Sequence, residues 1–214
     1  MIGYKRLWFS IMLSAFTEGL LSSHHLAMFF MYSDFFQTSS ETYQLFETII
    51  NFKFILIPLM GFLLDHFKIF GYSQRSYLIL NGLIGCVCYL ILAHASLLHT
   101  NLYICFIIHL MIDISNIWRK IINDSLCIIL NNYLKTRVQD DKFKDHSRQS
   151  MDTVYGTKYL GNVISWIFFL IVYNHVLNYY FYFLAGVCIL SIFTALFITQ
   201  ENYEKEKIDF HKDI

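Results

Sequence analysis

Charged and histidine side chains recur inside stretches of this chain that are otherwise apolar. Successive residues of an α-helix lie about 100° apart, and at that spacing one group of polar side chains falls on a single helical face. Its members are His109, Asp113, Asn116, Lys120, Asn123, Asp124 and Cys127. Carboxylates, imidazoles and amines bind polar solutes and exchange protons. This face is therefore the first candidate for chemistry.

Two narrower polar stripes accompany that face. One contains Glu18 and His25 near the N-terminus, and the other contains Lys158 in the second half of the chain. The candidate site residues are then Glu18, His25, Asp113, Asn116, Lys120, Asp124 and Lys158. Two interpretations stay open: these groups line a solute path in which an acid takes up a proton, or they pair with one another and fasten helices together.

Other kinds of site are not indicated by the sequence. It contains no nucleophile elbow, no phosphate-binding glycine loop and no zinc-ligand spacing, so we expect neither an enzyme nor a cofactor. His24 and His25 are adjacent, and neighbouring helical residues point about 100° apart, which predicts that they do not form a metal site. The net charge is zero, which gives no reason to expect a nucleic-acid partner. The five cysteines lie in apolar runs and are expected to be free thiols.

The composition indicates what must position these side chains. Of the 214 residues, 56% are hydrophobic and only 15% are charged, against about 25% charged in an average soluble domain. A membrane span needs about 20 mostly apolar residues, and six stretches qualify. They are about 7–32, 43–64, 76–95, 102–133, 154–173 and 176–199. We therefore predict an all-α membrane protein with one six-span bundle over 1–200.

The basic residues predict the orientation of that bundle. Of the 16 Lys and Arg residues, 12 fall on one side of the predicted membrane, and the opposite loops 33–42, 96–101 and 174–175 contain none. Basic loops stay on the cytoplasmic side, or on its equivalent in an organelle. Both termini are therefore expected on the positive side. The mixed-charge segments 135–150 and 201–214 are predicted to be a solvated loop and a solvated tail, with a docking surface for a partner as the alternative.

A spaced motif joins the second and third predicted spans. The pattern Pro-Leu-x-Gly-x-x-x-Asp runs from Pro58 through Gly61 to Asp65, and Gly-Tyr-x-x-Arg-x-Tyr begins at Gly71 and includes Arg75. Gly61 lets a neighbouring helix approach closely, and Gly71 permits a tight turn. Arg75 can reach Asp65 across the short loop. The motif is expected to latch one face of the bundle.

This motif resembles the signature of the folate/biopterin transporter family, a branch of the major facilitator superfamily. The resemblance implies a fold like the N-terminal six-helix bundle of such transporters, whose members typically join two bundles and bind substrate between them. It also implies that the first and fourth spans face the central cavity. Two departures stand out: Ile57 occupies a position where the family often has lysine, although Lys53 lies one turn earlier, and Asp124 pairs with Lys120 where the family has paired acids.

Two functions follow from these predictions. The first is a transporter related to folate and pteridine carriers, which acts in the lipid bilayer together with a second six-helix bundle. The second is a structural or accessory subunit of a large membrane complex, such as an organellar respiratory assembly, derived from such a transporter. A plasma membrane and an organellar inner membrane both fit the sequence.

Overall fold

The computed structural model is helical along nearly all of the residues that it describes, which are 2–67, 69, 74–98, 101–137, 140–173 and 177–197. The chain forms eight α-helices over this part: α1 Ile2–Ser22, α2 His24–Phe30, α3 Ser40–Asn51, α4 Leu56–His66, α5 Gln74–Leu98, α6 Leu102–Arg137, α7 Asp140–Tyr173 and α8 Leu177–Phe197. A π-helical turn, Met31–Phe35, follows α2, and a 3-10 turn, Phe52–Ile55, joins α3 to α4. The predicted all-α class is confirmed.

Among the described residues, five segments are long and apolar enough to cross a membrane. They are Ser40–His66, Gln74–His94, Leu102–Asn132, Asp145–Tyr173 and Leu177–Leu196. They correspond to the second to sixth predicted spans. The predicted first span, 7–32, is formed by α1, α2 and part of the π-helical turn, and it is not among the five, so the count of six spans stays a prediction. The chain is an integral, multi-pass membrane protein.

The segment predicted to be a loop between the fourth and fifth spans is mostly helical. α6 continues to Arg137, and α7 begins at Asp140 rather than near position 154. Segment 140–153 contains neither glycine nor proline. Exposed opposite charges four residues apart also stabilise the helix, as in the 3.8 Å ion pair between Arg148 and Asp152. The prediction of a loop was therefore wrong here. The predicted tail, 201–214, lies outside the described residues.

The second membrane segment is irregular in the middle for a local reason. Pro58 lies in the first turn of α4, and it has no N–H to donate to the carbonyl of Phe54. The chain makes the 3-10 turn immediately before it, over Phe52–Ile55. This turn carries Lys53, which is only 7% exposed. The proline therefore accompanies the distortion that places a lysine inside the bundle.

Glycines allow a close helix contact where α1 crosses α7. A Cβ atom at Gly19 would clash with the backbone carbonyl of Lys158, and one at Gly161 would clash with the carbonyl oxygen of Phe16 and lie 3.1 Å from Leu20 N. Only glycine allows two helix backbones to approach so closely. The crossing therefore depends on both glycines.

The glycine of the spaced motif behaves differently. A Cβ atom built at Gly61 would meet none of the described atoms within 4 Å, so the close approach predicted there was wrong for this bundle. Close packing occurs instead at Gly85 on α5, where a Cβ atom would lie 2.9 Å from Cys188 Sγ on α8. All five cysteines are free thiols, as predicted, and all but Cys86 are buried.

The packed centre of the bundle consists of α1, α5, α6 and α8, with α7 against α1 and α4 against α6. One apolar cluster fills the half that contains Met28, Tyr89 and Leu184. A second fills the half that contains Ile11, Leu78 and Leu130. The buried members of the polar stripes, such as Ser14 on α1 and Asp113 on α6, therefore lie at helix contacts, whereas Ser22 and Lys120 are exposed.

Replacing Gly161 with alanine tests the crossing of α1 and α7. We expect the free energy of unfolding to fall by about 1–3 kcal/mol, because the added methyl group meets backbone atoms that cannot rotate away. The matched control is Gly156→Ala on the same helix, where a Cβ atom meets no described atom within 4 Å. That variant should be unchanged or up to about 1 kcal/mol more stable. Denaturant unfolding in mixed micelles measures both, and equal stabilities would contradict the close approach.

Candidate functional site

A buried carboxylate forms the centre of one polar cluster. Asp113 on α6 is 1% exposed, and its Oδ1 atom accepts a hydrogen bond from Lys53 Nζ at 2.9 Å. His24 Nε2 lies 3.1 Å and His25 Nε2 lies 3.4 Å from the same oxygen. His109 Nε2 lies 3.2 Å from the other oxygen, Oδ2. Four side chains from three parts of the chain therefore converge on one acid, and we name these five residues the Asp113 cluster.

The two adjacent histidines reach the same acid because the first span is not one straight helix. α1 ends at Ser22 and α2 begins at His24. The hydroxyls of Ser22 and Ser23 donate to the carbonyls of Gly19 and Leu20, and such bonds back to the preceding turn bend helices. The rings of His24 and His25 lie 4.0 Å apart between centroids. The expectation that adjacent histidines must diverge was therefore wrong.

A second set of hydrogen bonds holds this break in place. Ser23 Oγ lies 2.5 Å from both Ser165 Oγ on α7 and Tyr180 Oη on α8, and those two oxygens are 3.0 Å apart. All three residues are buried. The hydroxyls satisfy one another in the buried interior of the bundle, where an unpaired hydroxyl is costly. The hydrogen bonds from Ser23 to α7 and α8 thus fix the position of the neighbouring His24.

The second polar group lies on α1, α6 and α7. Glu18 Oε1 accepts from Lys158 Nζ at 2.5 Å, and Glu18 Oε2 accepts from Asn123 Nδ2 at 2.6 Å. Asp124 interacts electrostatically with Glu18, Lys158 and Lys120. The side chains of Glu18 and Lys158 are 15% and 32% exposed, and Lys120 and Asp124 are exposed. We name these five residues the Glu18 group.

The candidate residues from the sequence therefore separate into two sets. His25 and Asp113 belong to the Asp113 cluster, and Asn116 borders it, because its amide nitrogen lies 3.4 Å from His24 Nδ1. The Glu18 group contains the other predicted candidates. The stripe on α6 does not face one way, since Asp113 is buried whereas Lys120 is exposed.

Three functional candidates were missed from the sequence. Lys53 was noted only in the comparison with the family signature, and the 3-10 turn that points it inward depends on tertiary packing. His24 was set aside on ideal helix geometry. Arg119 lies in the same helix as Asp113 and is 1% exposed. Its Nη1 donates to Asn116 Oδ1 at 3.2 Å, whereas Nε and Nη2 have no hydrogen-bond partner among the described residues.

The spaced motif is only partly described. Pro58 lies in the first turn of α4, Asp65 is exposed near the end of that helix, and Arg75 is half-buried at the start of α5. Gly71 lies outside the described residues. The latch between Asp65 and Arg75 stays a prediction.

Comparison with known proteins identifies the family. The BT1 family profile matches residues 16–209, which includes both polar groups and the spaced motif. Neither the curated proteins nor the solved structures gave a match. The match covers most of the 214 residues and agrees with the resemblance drawn from the motif. The chain belongs to the BT1 family of folate/biopterin transporters.

Proposed function

We propose that this chain is one bundle of a membrane transporter for a small polar organic solute of the folate or pteridine class. The solute path runs along the face formed by the Glu18 group and continues past His25 toward the Asp113 cluster. The family supports a transporter-like membrane protein. The placement of charge in the bundle supports the path.

The observation that carries the proposal is the partial exposure of charged groups within membrane segments. Lys120 and Asp124 are exposed in the segment Leu102–Asn132, and Lys158 is 32% exposed in Asp145–Tyr173. A charged side chain at the bilayer centre costs at least about 2.5–3.5 kcal/mol on insertion scales. Lys120 lies about 27 Å along α6 from Leu102, nearer the membrane surface, where the cost is smaller but contact with lipid is still unfavourable. A face with several such groups is therefore expected to border a water-filled cavity or another polar surface rather than lipid.

The chemistry of this face suits the proposed solutes. Folates and pterins combine an aminopyrimidine ring, which donates N–H groups, with carboxylate or hydroxyl substituents. A carboxylate such as Glu18 or Asp124 can accept two of the ring N–H bonds. Lys120 or Lys158 can pair with a solute carboxylate. Opposite charges within one group allow the ion pairs to open for the solute and close again after it leaves.

Transport by alternating access requires a second bundle across the path, because the described helices form one bundle and rocking needs two. We propose that a second six-helix bundle supplies it, from another copy or another polypeptide. Six spans with both termini on the positive side fit this arrangement. The membrane is the plasma membrane or an organellar inner membrane.

A specific observation favours the alternative, an accessory subunit in a larger membrane complex. Glu18 pairs with Lys158 and Asp113 pairs with Lys53 inside the bundle, so the charges also serve to fasten helices. In such a subunit the face of the Glu18 group would be covered by unrelated chains and closed to water. Access of water to this face therefore separates the two functions.

Thiol labelling tests that access. We expect a cysteine at Ser22, which is exposed on this face, to react at least about tenfold faster with a membrane-impermeant thiol reagent than a cysteine at Val163, because a thiolate forms only in water. Val163 is 54% exposed on the apolar surface of α7 and provides the matched control. Labelling is measured in intact membranes and corrected for the native thiols. Equal, slow labelling at both positions would contradict a hydrated path.

Uptake tests the solute class. Membrane vesicles containing the chain and its native partners should accumulate labelled folate or biopterin above vesicles that lack it. Glu18→Gln and Lys158→Gln should each reduce that uptake at least about tenfold, because each leaves a charge unpaired on the path. Asp152→Asn removes a charge that is 72% exposed near the polar end of α7 and should leave uptake unchanged. Absence of uptake from folded protein would favour the accessory subunit.

A further inference from the structure

The Asp113 cluster contains a set of metal-ligand atoms that the transport proposal does not use. His24, His25, His109 and Asp113 each offer one ligand atom, and these atoms all lie within 4.8 Å of one another. Three imidazoles and a carboxylate are the donor set that suits zinc and related divalent transition metals. His24 and His109 are 2% and 0% exposed. The donors are therefore held in position by packing rather than gathered on a flexible surface.

The spacing of the donor atoms fits tetrahedral coordination. With metal–nitrogen bonds of about 2.0–2.1 Å, neighbouring ligand atoms lie about 3.3 Å apart. The distances from the three histidine Nε2 atoms to the nearest Asp113 oxygen are 3.1, 3.4 and 3.2 Å. The four ligand atoms lie within 4.8 Å of one another, so binding of one tetrahedral ion would draw the more distant pairs together by up to about 1.5 Å.

Two buried atoms in the cluster lack a hydrogen bond. His109 Nε2 and Asp113 Oδ2 have no hydrogen-bond partner among the described residues, although they lie 3.2 Å from each other. Buried polar atoms almost always have a hydrogen-bond partner, so an exception suggests that an ion or a water molecule binds there. A cation between the imidazole nitrogen and the carboxylate oxygen would satisfy both.

A histidine that binds a metal through Nε2 carries its proton on Nδ1. Hydrogen bonds to Nδ1 of His24 and His109 favour this tautomer. His24 Nδ1 lies 2.9 Å from the Leu21 carbonyl oxygen, which can only accept, so this nitrogen carries the proton. In the neutral ring the Nε2 lone pair then points at Asp113 Oδ1, 3.1 Å away. A cation between these two atoms would bind both lone pairs, in place of the hydrogen bond that a protonated Nε2 donates to this oxygen. His109 Nδ1 can likewise donate to Tyr32 Oη at 3.3 Å, which leaves its Nε2 available. Such outer hydrogen bonds are the usual support of metal-bound histidines.

We propose that His24, His25, His109 and Asp113 form a binding site for one divalent transition-metal ion, with Zn²⁺ as the best fit to the donor set. Lys53 competes with the ion, because its ammonium group occupies the same carboxylate oxygen. Lys53 lies on the 3-10 turn before Pro58 rather than in a regular helix, where its side chain can leave that oxygen. The side chain of His25 is 44% exposed and provides the route of entry. This proposal does not rest on the proposed transport function.

The full chain in detergent, stripped with a chelator, provides the test. Titration with Co²⁺ should produce the intense visible absorption of tetrahedral cobalt, saturate at one ion per chain, and be reversed by Zn²⁺. Folded wild-type protein that gives no such band would overturn the proposal.

Variants identify the ligands. His25→Gln and His109→Gln should each weaken Co²⁺ binding at least about tenfold, since even outer-shell partners contribute that much. His25 is half-exposed, so its replacement is expected to fold even if that of the buried His109 is not. Lys53→Gln should strengthen binding, because it removes the competing charge. The matched control, His66→Gln, replaces an exposed histidine of α4 and should bind as wild type. A loss of affinity in His66→Gln equal to that in His25→Gln would overturn the assignment.

Discussion

One constraint explains much of this bundle: an ionised carboxylate inside a membrane protein must be compensated by groups from its own chain. Asp113 lies about 17 Å along α6 from Leu102, at 1.5 Å per residue, which is near the middle of about 30 Å of hydrocarbon. Its partners come from α2, from the 3-10 turn and from α6 itself. Two helix irregularities, at Ser23 and at Phe52–Ile55, place these partners. Both irregularities are therefore part of the polar site.

Close helix packing provides the second polar group. Gly19 follows Glu18 directly on α1, and Gly161 lies three residues after Lys158 on α7. The contact of the two backbones at these glycines brings the Glu18 carboxylate to the Lys158 ammonium. An apolar interface and an ion pair thus depend on the same pair of small residues. Movement of α7 against α1 would open the ion pair and widen the proposed path.

Hydrophobic runs and the spaced motif were enough to predict the helical class, most of the membrane segments and the family. The hydrophobic runs and the motif extend over many residues and are properties of the sequence alone, so they do not depend on how the helices pack. The site was predicted less completely because its partners depend on departures from ideal helices. Lys53 turns inward only on a 3-10 segment, and His24 joins His25 only beyond the break at Ser23. The helix over 140–153 was missed because charge alone was taken to indicate a loop.

The contacts made at glycines were also difficult to predict from the sequence. The sequence predicted a close helix approach at Gly61 and did not single out Gly19 or Gly161, whereas the packing leaves Gly61 open and forms a crossing at the other two. The burial of Arg119 beside Asn116 was not predicted from the sequence, because it depends on how α6 packs against the other helices. Residue type and period identify which helical face is polar. They do not determine which other helix that face contacts.

The coupling between Lys53 and Asp113 tests most directly whether the buried carboxylate organises the bundle. Free energies of unfolding would be measured in metal-free mixed micelles for Asp113→Asn, Lys53→Met and the double variant. Each single change should cost about 3–5 kcal/mol, because it leaves the other charge buried without its partner. The double variant should cost at least about 1 kcal/mol less than the sum of the two. Additivity within about 0.5 kcal/mol would mean that the two groups do not interact, and would contradict this account.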